Sequence, residues 1–387
     1  MRWENAVYTG ESGNPLIDAL PFKINEEMIK GLEELWSASE ENRSAGVEER
    51  IKQLQDMRKT FLYRRKMQRI AWRLDSLIRC AYRSRNPFRD DNPDNINAQG
   101  FLFSGVYGIG KRTLMRKLVS LYPDVIFHHE YDGKLFYSMQ IPVLYAKMPQ
   151  DVSVSGLCRQ LLGVLREKSG EQGKNVGQGK NGEMGKTGRI GSFNIHYDKG
   201  SSVIDILFGV LRELNVGCIV LETLEDSDLT GKDSERVFRL LQGIIREAGV
   251  SVCIICGEKL AEAVSNTPGR AMVFSSANDL IYTPYSQDDE WERFIDVLWS
   301  EQLVKQPPKK SIELDNVLFE WSRGIAEIVV RILIEVQENA LDRGTETWGK
   351  KELDIAARTA LKTVLSFLGS IDPVLPQDLA SVMDGMV

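Results

Sequence analysis

Gly105-Val106-Tyr107-Gly108-Ile109-Gly110-Lys111-Arg112-Thr113 decides how this chain folds. An apolar run, Gly100-Phe101-Leu102-Phe103-Ser104, precedes it, and the periodic run Leu114-Met115-Arg116-Lys117-Leu118-Val119-Ser120-Leu121 follows. Strand, glycine loop and helix in that order, with Lys111 opening the helix, are the layout of a phosphate-binding loop. Glycines let successive backbone N–H groups curl round a phosphate with no side chain in the way. The helix N-terminus adds partial positive charge, and Lys111 reaches the outer phosphates. Gly105, Tyr107, Gly108, Gly110, Lys111, Arg112 and Thr113 are therefore the candidate nucleotide contacts, with ATP the expected cofactor. A ligand-free glycine turn is the plainer alternative. Both glycines, the lysine, the spacing and the flanking elements favour the phosphate loop.

The pattern G-x-x-x-x-G-K normally continues with Ser or Thr, whose hydroxyl ligates Mg²⁺. Arg112 stands in that place. Arginine offers only donors and a fixed charge, so it cannot ligate a metal. Thr113 comes next, but one helical step turns a side chain by about 100°. The loop is expected to hold phosphate and to hold Mg²⁺ poorly. No metal site is expected elsewhere. His128 and His129 are only an adjacent pair, and Cys253-x-x-Cys256 lies in the apolar run Val252–Cys256 without a second pair, as a buried strand would.

At 387 residues with 42% apolar content, the chain is long enough for two or three domains, or for one large α/β domain with appendages. Its net charge of −6 means that affinity for polyanions has to come from local patches. No N-terminal signal and no membrane-length apolar run is evident. Five cysteines, an odd number, point to reduced thiols and the cytoplasm.

Composition divides the chain into four segments. Residues 1–48 are a turn-rich arm with an apolar hook, Leu16-Ile17-Asp18-Ala19-Leu20, expected to dock on a surface, followed by an amphipathic helix from about Asn25 to Glu40. Residues 49–95 are a basic helical region and linker. Between 50 and 85, twelve Lys and Arg face only Asp56 and Asp75, for a net +10. That run is either a solvated helix face paired with acids elsewhere or a nucleic-acid contact, with Arg64, Arg65, Lys66 and Arg69 the candidate DNA-binding residues. Residues 96–285 alternate strand and helix after the phosphate loop, which calls for a parallel sheet flanked by helices. They contain a glycine-rich insertion, 167–192, too polar to fold on its own. Residues 286–387 are an all-helical lid and a tail carrying Asp372-Pro373-Val374-Leu375-Pro376.

The strand Gly217-Cys218-Ile219-Val220-Leu221 ends in Glu222-Thr223. In P-loop ATPases the matching strand ends in Asp-Glu, the first serving the metal shell and the second polarising the attacking water. Glu222 is one methylene too long for the first role, and Thr223 cannot act as a base. Glu225 and Asp226 lie past the strand end. The strand Val250–Cys256 ends in Gly257, where many relatives carry a polar sensor of the γ-phosphate.

The chain resembles the TnsC-type AAA+ regulators of bacterial transposons, relatives of the TniB proteins, colinearly over all but the glycine-rich insertion. The residues that carry the resemblance are the arm Gly13-Asn14-Pro15-Leu16-Ile17-Asp18-Ala19-Leu20-Pro21, the stretch Arg79-Cys80-Ala81-Tyr82-Arg83-Ser84-Arg85-Asn86-Pro87, and the phosphate loop followed by Tyr122-Pro123-Asp124-Val125-Ile126. Glu290-Trp291 through Leu298-Trp299 and Ser322-Arg323-Gly324-Ile325-Ala326-Glu327-Ile328-Val329-Val330-Arg331 complete them. The resemblance implies an AAA+ fold, ATP-dependent oligomers (rings, filaments or mixed rings) around double-stranded target DNA, and partners in a target-site selector and a transposase. It carries Gly105, Gly108, Gly110 and Lys111 over as nucleotide contacts, Glu222 as a substitute for the metal-shell Asp, and Arg270 as an intersubunit arginine. Arg112, Thr223 and Gly257 depart from the pattern together, which implies weak or absent hydrolysis. Two further readings stand beside this one: a working ATPase using Glu222, Glu225 or Asp226, and a nucleotide-free scaffold partnering an active paralogue.

Overall fold

Phe101, Leu102 and Phe103 are apolar with no polar alternation because they form a strand covered on both faces. A computed structural model describes residues 2–21, 23–89, 97–170, 202–223, 234–274 and 280–362. Among the described residues, β1 (Trp3–Asn5), β2 (Gly100–Ser104), β3 (Val125–Tyr131), β4 (Lys134–Lys147), β5 (Val216–Glu222), β6 (Ser251–Ile255) and β7 (Leu280–Ile281) make one sheet. Their order is β1-β3-β4-β5-β6-β2-β7.

From β7 to β4 each strand runs parallel to its neighbour. Counted along the chain from β2, these five core strands lie in the order 5-1-4-3-2. The carboxyl ends of β2, β6 and β5 therefore sit side by side, where open parallel sheets place their ligands. The register confirms it, pairing Phe103 with Ile255 and Ile255 with Glu222. This is the fold of a P-loop NTPase of AAA+ type.

The chain groups into two compact units. The first comprises Met1–Glu26, Arg65–Gly105 and Lys111–Tyr282 and holds the whole sheet. In it the N-terminal arm joins the sheet. Trp3–Asn5 extends the sheet beside β3, and Asn14 caps the short helix Pro15–Asp18 while donating to the Tyr82 carbonyl at 2.8 Å. β3 turns into β4 through Asp132 and Gly133, both at positive φ, a two-residue hairpin turn. The glycine-rich insertion lies, from residue 171 on, outside the described residues, as does the tail from residue 363.

The second unit comprises Glu27–Arg64, Val106–Gly110 and Thr283–Val387. It is helical, with Val47–Leu54, Asp289–Ser300, Ile312–Ser322, Ala326–Asp342 and Lys350–Leu361 as its main elements. The helix expected from Asn25 to Glu40 is shorter: it runs Glu26–Lys30 and stops at Gly31. Tertiary bonds hold the next residues extended. Glu34 bridges to Phe61, and the Glu33 carboxylate accepts from the Tyr63 N–H and from Arg293.

Candidate nucleotide site

The phosphate loop has the backbone its glycines demand. Gly105, Gly108 and Gly110 have φ of 150°, 81° and 90°, values that L side chains rarely adopt. A Cβ built on Gly110 would meet nothing within 4 Å, so the cradle has room at that point. The helix Lys111–Val119 starts at the lysine and has no acid in its first turn. Lys111 is buried, and its ammonium donates to the Gly105 carbonyl at the loop's other end. An incoming phosphate would draw the same ammonium outward. These features fit the phosphates of a nucleotide. Tyr107 is 40% exposed, and Thr113 is exposed.

Within the second unit the loop meets a residue that the sequence reading did not single out. The Gly108 carbonyl accepts from the Glu327 N–H at 3.0 Å. A Cβ on Gly108 would lie 3.2 Å from the Glu327 Cβ and 3.6 Å from its carboxylate Oε2. Glu327 is placed by the turn before it. Arg323 caps the helix Ile312–Ser322 in the left-handed conformation, and Gly324 follows at φ 73° with its Cα face against the Tyr285 carbonyl. The carboxylate of Glu327 thus stands beside the loop that would hold anionic phosphate.

The carboxyl end of β5 is locked. Glu222 is 2% exposed, and both of its oxygens are engaged. Arg112 Nε lies 3.3 Å from Oε1, Arg116 Nη2 2.8 Å from Oε2, and the Tyr145 hydroxyl donates to Oε2 as well. Arg112 also donates to the Thr223 carbonyl at 2.9 Å. Burial alone would raise the Glu222 pKa. The hydrogen bonds from Tyr145 and Arg116 and the charges of Arg116 and Arg112 outweigh it and hold the group below the usual carboxylate range. Burial, followed by the bond to Glu222, pushes the Tyr145 phenol well up.

Mg²⁺ does not fit this arrangement. No hydroxyl stands at position 112, and the acid that could share the metal is neutralised by two guanidinium groups. Among the described residues no cluster of three or more His, Cys, Asp or Glu could hold a metal ion. Thr223 is buried, and its hydroxyl donates to the Ile255 carbonyl at 2.9 Å, which ties β5 to β6 and occupies the hydroxyl's hydrogen. Gly257 begins the helix Glu258–Ser265 without a side-chain cap. Glu225 and Asp226 lie outside the described residues.

One candidate needs correction. Arg64 cannot serve DNA: it is 3% exposed, pairs with Glu290, donates to the carbonyls of Thr283 and Pro284, and stacks over Tyr285. Its guanidinium is fully occupied inside the second unit. Arg65, Lys66 and Arg69, by contrast, are exposed on the helix Arg65–Arg83. Arg270, carried over as an intersubunit arginine, is held within its own unit by Glu235 at 2.6 Å and lies over the Phe238 ring. Of the groups the sequence reading missed, Arg116 was within reach. It sits four residues after Arg112, hence on the same helix face. Tyr145 comes from β4 and carried no sequence signal.

A scan against protein-family models finds no match, and a search of curated proteins finds none either. Solved structures similar to this chain include the Aeropyrum pernix ORC1 protein in complex with DNA, at 14% identity and a TM-score of 0.43, covering 80% of this chain and 68% of that one. The Aeropyrum pernix ORC2 protein in ADPNP–ADP complexes is similar at 14% identity and a TM-score of 0.39, covering 74% and 66%. A structure of two Pif1 helicases on forked double-stranded DNA is similar at 13% identity and a TM-score of 0.26, covering 77% and 52%. The chain spans about two thirds of the ORC proteins and about half of the helicase chain. At these scores the likenesses carry no functional reading. No described helix is long and apolar enough to cross a membrane.

Proposed function

We propose that this chain is an AAA+ regulator of transposition, similar to the TnsC-type proteins, that binds ATP and target DNA and links a target-site selector to a transposase, with hydrolysis weak or absent. One observation carries the nucleotide half of this reading. The cradle keeps its three positive-φ glycines and Lys111, while the acid at the end of β5 is tied up by Arg112, Arg116 and Tyr145. Binding and cleavage need different groups, and among the described residues only the binding set is in place. Arg112 supplies positive charge where the metal ion would sit, so ATP binds without Mg²⁺. The exposed cations Arg65, Lys66 and Arg69 support the DNA half. Self-assembly into rings, filaments or mixed rings is part of the same proposal.

The test pairs ATP binding, by calorimetry, with ATP hydrolysis, each with and without Mg²⁺ and duplex DNA. The expected result is binding that survives chelation of Mg²⁺ and turnover at background. Efficient, DNA-stimulated turnover would remove the claim of impaired hydrolysis, and an absolute Mg²⁺ requirement would remove the role given to Arg112.

A second reading is a nucleotide-independent scaffold that partners an active paralogue. It is favoured by Lys111 resting on the Gly105 carbonyl and by the acid Glu327 beside Gly108. It predicts no thermal shift with any adenine nucleotide.

A further inference from the structure

The helix Arg65–Arg83 carries an exposed aromatic ring inside a cationic stripe, and we propose that this face binds single-stranded DNA, the backbone on Arg65, Arg69 and Arg73 and one unstacked base on the ring of Trp72. This rests on the DNA-binding reading above and names the form of DNA and the residue that selects it.

Residues 65, 69, 72, 73 and 76 share one side of a helix by their three- and four-residue spacing. Arg65, Arg69 and Trp72 are exposed, Trp72 at 57%, although an aromatic of that size is ordinarily largely buried. Its indole N–H donates to the Ile24 carbonyl at 3.0 Å, which fixes the ring as a platform. The stripe has no acid of its own. Asp75, the one acid in the helix, faces inward at 6% exposure and is taken by Arg79 at 2.8 Å and the Tyr122 hydroxyl at 3.0 Å.

Arg73 adds an independent sign. Its Nη2 donates to the Gln99 side chain at 3.3 Å, a neutral partner, while its Nε is buried with no hydrogen-bond partner. The guanidinium lies 6.0 Å from the Phe101 ring and burial lowers its pKa, so a nearby anion would stabilise its charge. Stacking on Trp72 requires a base that is not already stacked in a duplex, which favours a single strand over double-stranded DNA. In a chain of net charge −6 this stripe is a local exception, as a polyanion site has to be.

The test uses the full chain and fluorescence anisotropy with a labelled oligothymidylate of about 20 nucleotides, a duplex of equal length, and polyglutamate as an acidic-protein probe. Trp72→Ala is expected to weaken oligothymidylate binding about tenfold, whereas Trp72→Phe, which keeps a ring, stays near wild type. Arg69→Ala is expected to reduce the salt slope by about 0.7. Thermal melting of each variant confirms that it is folded. If wild type binds DNA and Trp72→Ala binds oligothymidylate equally well, this inference fails and the DNA-binding reading stands. If wild type binds neither form of DNA, both fail. Polyglutamate bound as tightly as oligothymidylate would overturn the proposal in favour of an acidic protein partner.

Discussion

Replacing both Arg112 and Arg116 by alanine would leave Glu222 buried with one partner, the Tyr145 hydroxyl. The size of the effect follows from which side of each pair is wet. The arginine side chains are 40% and 52% exposed, and Glu222 is 2% exposed. Losing one arginine leaves the other on the carboxylate, so each single substitution should cost about 1 kcal/mol, as for a half-exposed ion pair. Losing both leaves a buried charge without a counter-ion, which costs about 3 kcal/mol or more. The double variant should therefore exceed the sum of the singles by about 1 kcal/mol. The pH dependence has a definite sign. In the wild type the Glu222 pKa is lowered, so its stabilisation is present above the unfolded carboxyl value and lost as pH falls through the folded one. In the double variant burial prevails and the pKa rises. The penalty is then largest at about pH 8 and shrinks towards about pH 5 as Glu222 takes up a proton. Urea unfolding followed by tryptophan fluorescence at both pH values reads it directly. Adding Glu222→Gln should recover most of the loss at the higher pH. A penalty equal at the two pH values, or no recovery with Glu222→Gln, would refute the description of this cluster.

Three further outcomes are expected. Glu301 is fully buried and its pKa is pushed up to about 7 by burial, against the Thr60 hydroxyl at 2.5 Å and the Trp36 backbone. Its raised pKa means that stability is full below the unfolded carboxyl value and declines as pH climbs to about 7, so Glu301→Gln should raise the melting temperature at about pH 8 and not at about pH 4. Gly324→Ala places a Cβ 2.1 Å from the Tyr285 carbonyl oxygen at a φ of 73°, so urea titration should show a loss of at least about 2 kcal/mol. Glu327→Gln removes a negative charge beside Gly108 and should tighten ATP about fivefold in calorimetry. Unchanged affinity would mean that the carboxylate turns away from the phosphates.

The phosphate loop was legible because everything that specifies it is local: glycines where φ is positive, a lysine at a helix start, an apolar strand before it. The parallel sheet followed from the alternation of apolar runs, although the docking of the arm beside β3 depended on partners more than a hundred residues away, such as Asp124 for the Arg2 N–H. The fate of the basic run was not legible for the same reason. Arg64 and Arg65 are neighbours of identical chemistry, yet Arg64 is buried against Glu290, 226 residues on, and Arg65 is exposed. Arg50 is likewise buried against Glu346 through two bonds of 2.7 Å, 296 residues on. Sequence shows how many cations a helix carries but not which of them distant carboxylates have claimed. The helix expected to reach Glu40 failed differently. Its periodicity was real as far as Lys30, and Gly31 with the Glu34–Phe61 bridge ended it.

Three of the residues that depart from the ATPase pattern, Arg112, Glu222 and Thr223, have each acquired a partner in the fold, and this sets what it would take to reverse them. Arg112 holds Glu222 and the Thr223 carbonyl, and Thr223 holds the Ile255 carbonyl. Glu222 holds Arg116 and the Tyr145 hydroxyl as well. Exchanging Arg112→Thr and Thr223→Glu would restore the missing hydroxyl and a candidate base, but Glu222 would remain ion-paired to Arg116 and unable to share a cation. That pair of changes should therefore leave ATP binding insensitive to Mg²⁺. Adding Arg116→Ala frees one carboxylate oxygen, and only this triple variant should bind ATP more tightly with Mg²⁺ than with chelator. Calorimetry with and without Mg²⁺ distinguishes the two. If the pair alone conferred dependence on Mg²⁺, Arg116 would not be the group that keeps the metal out.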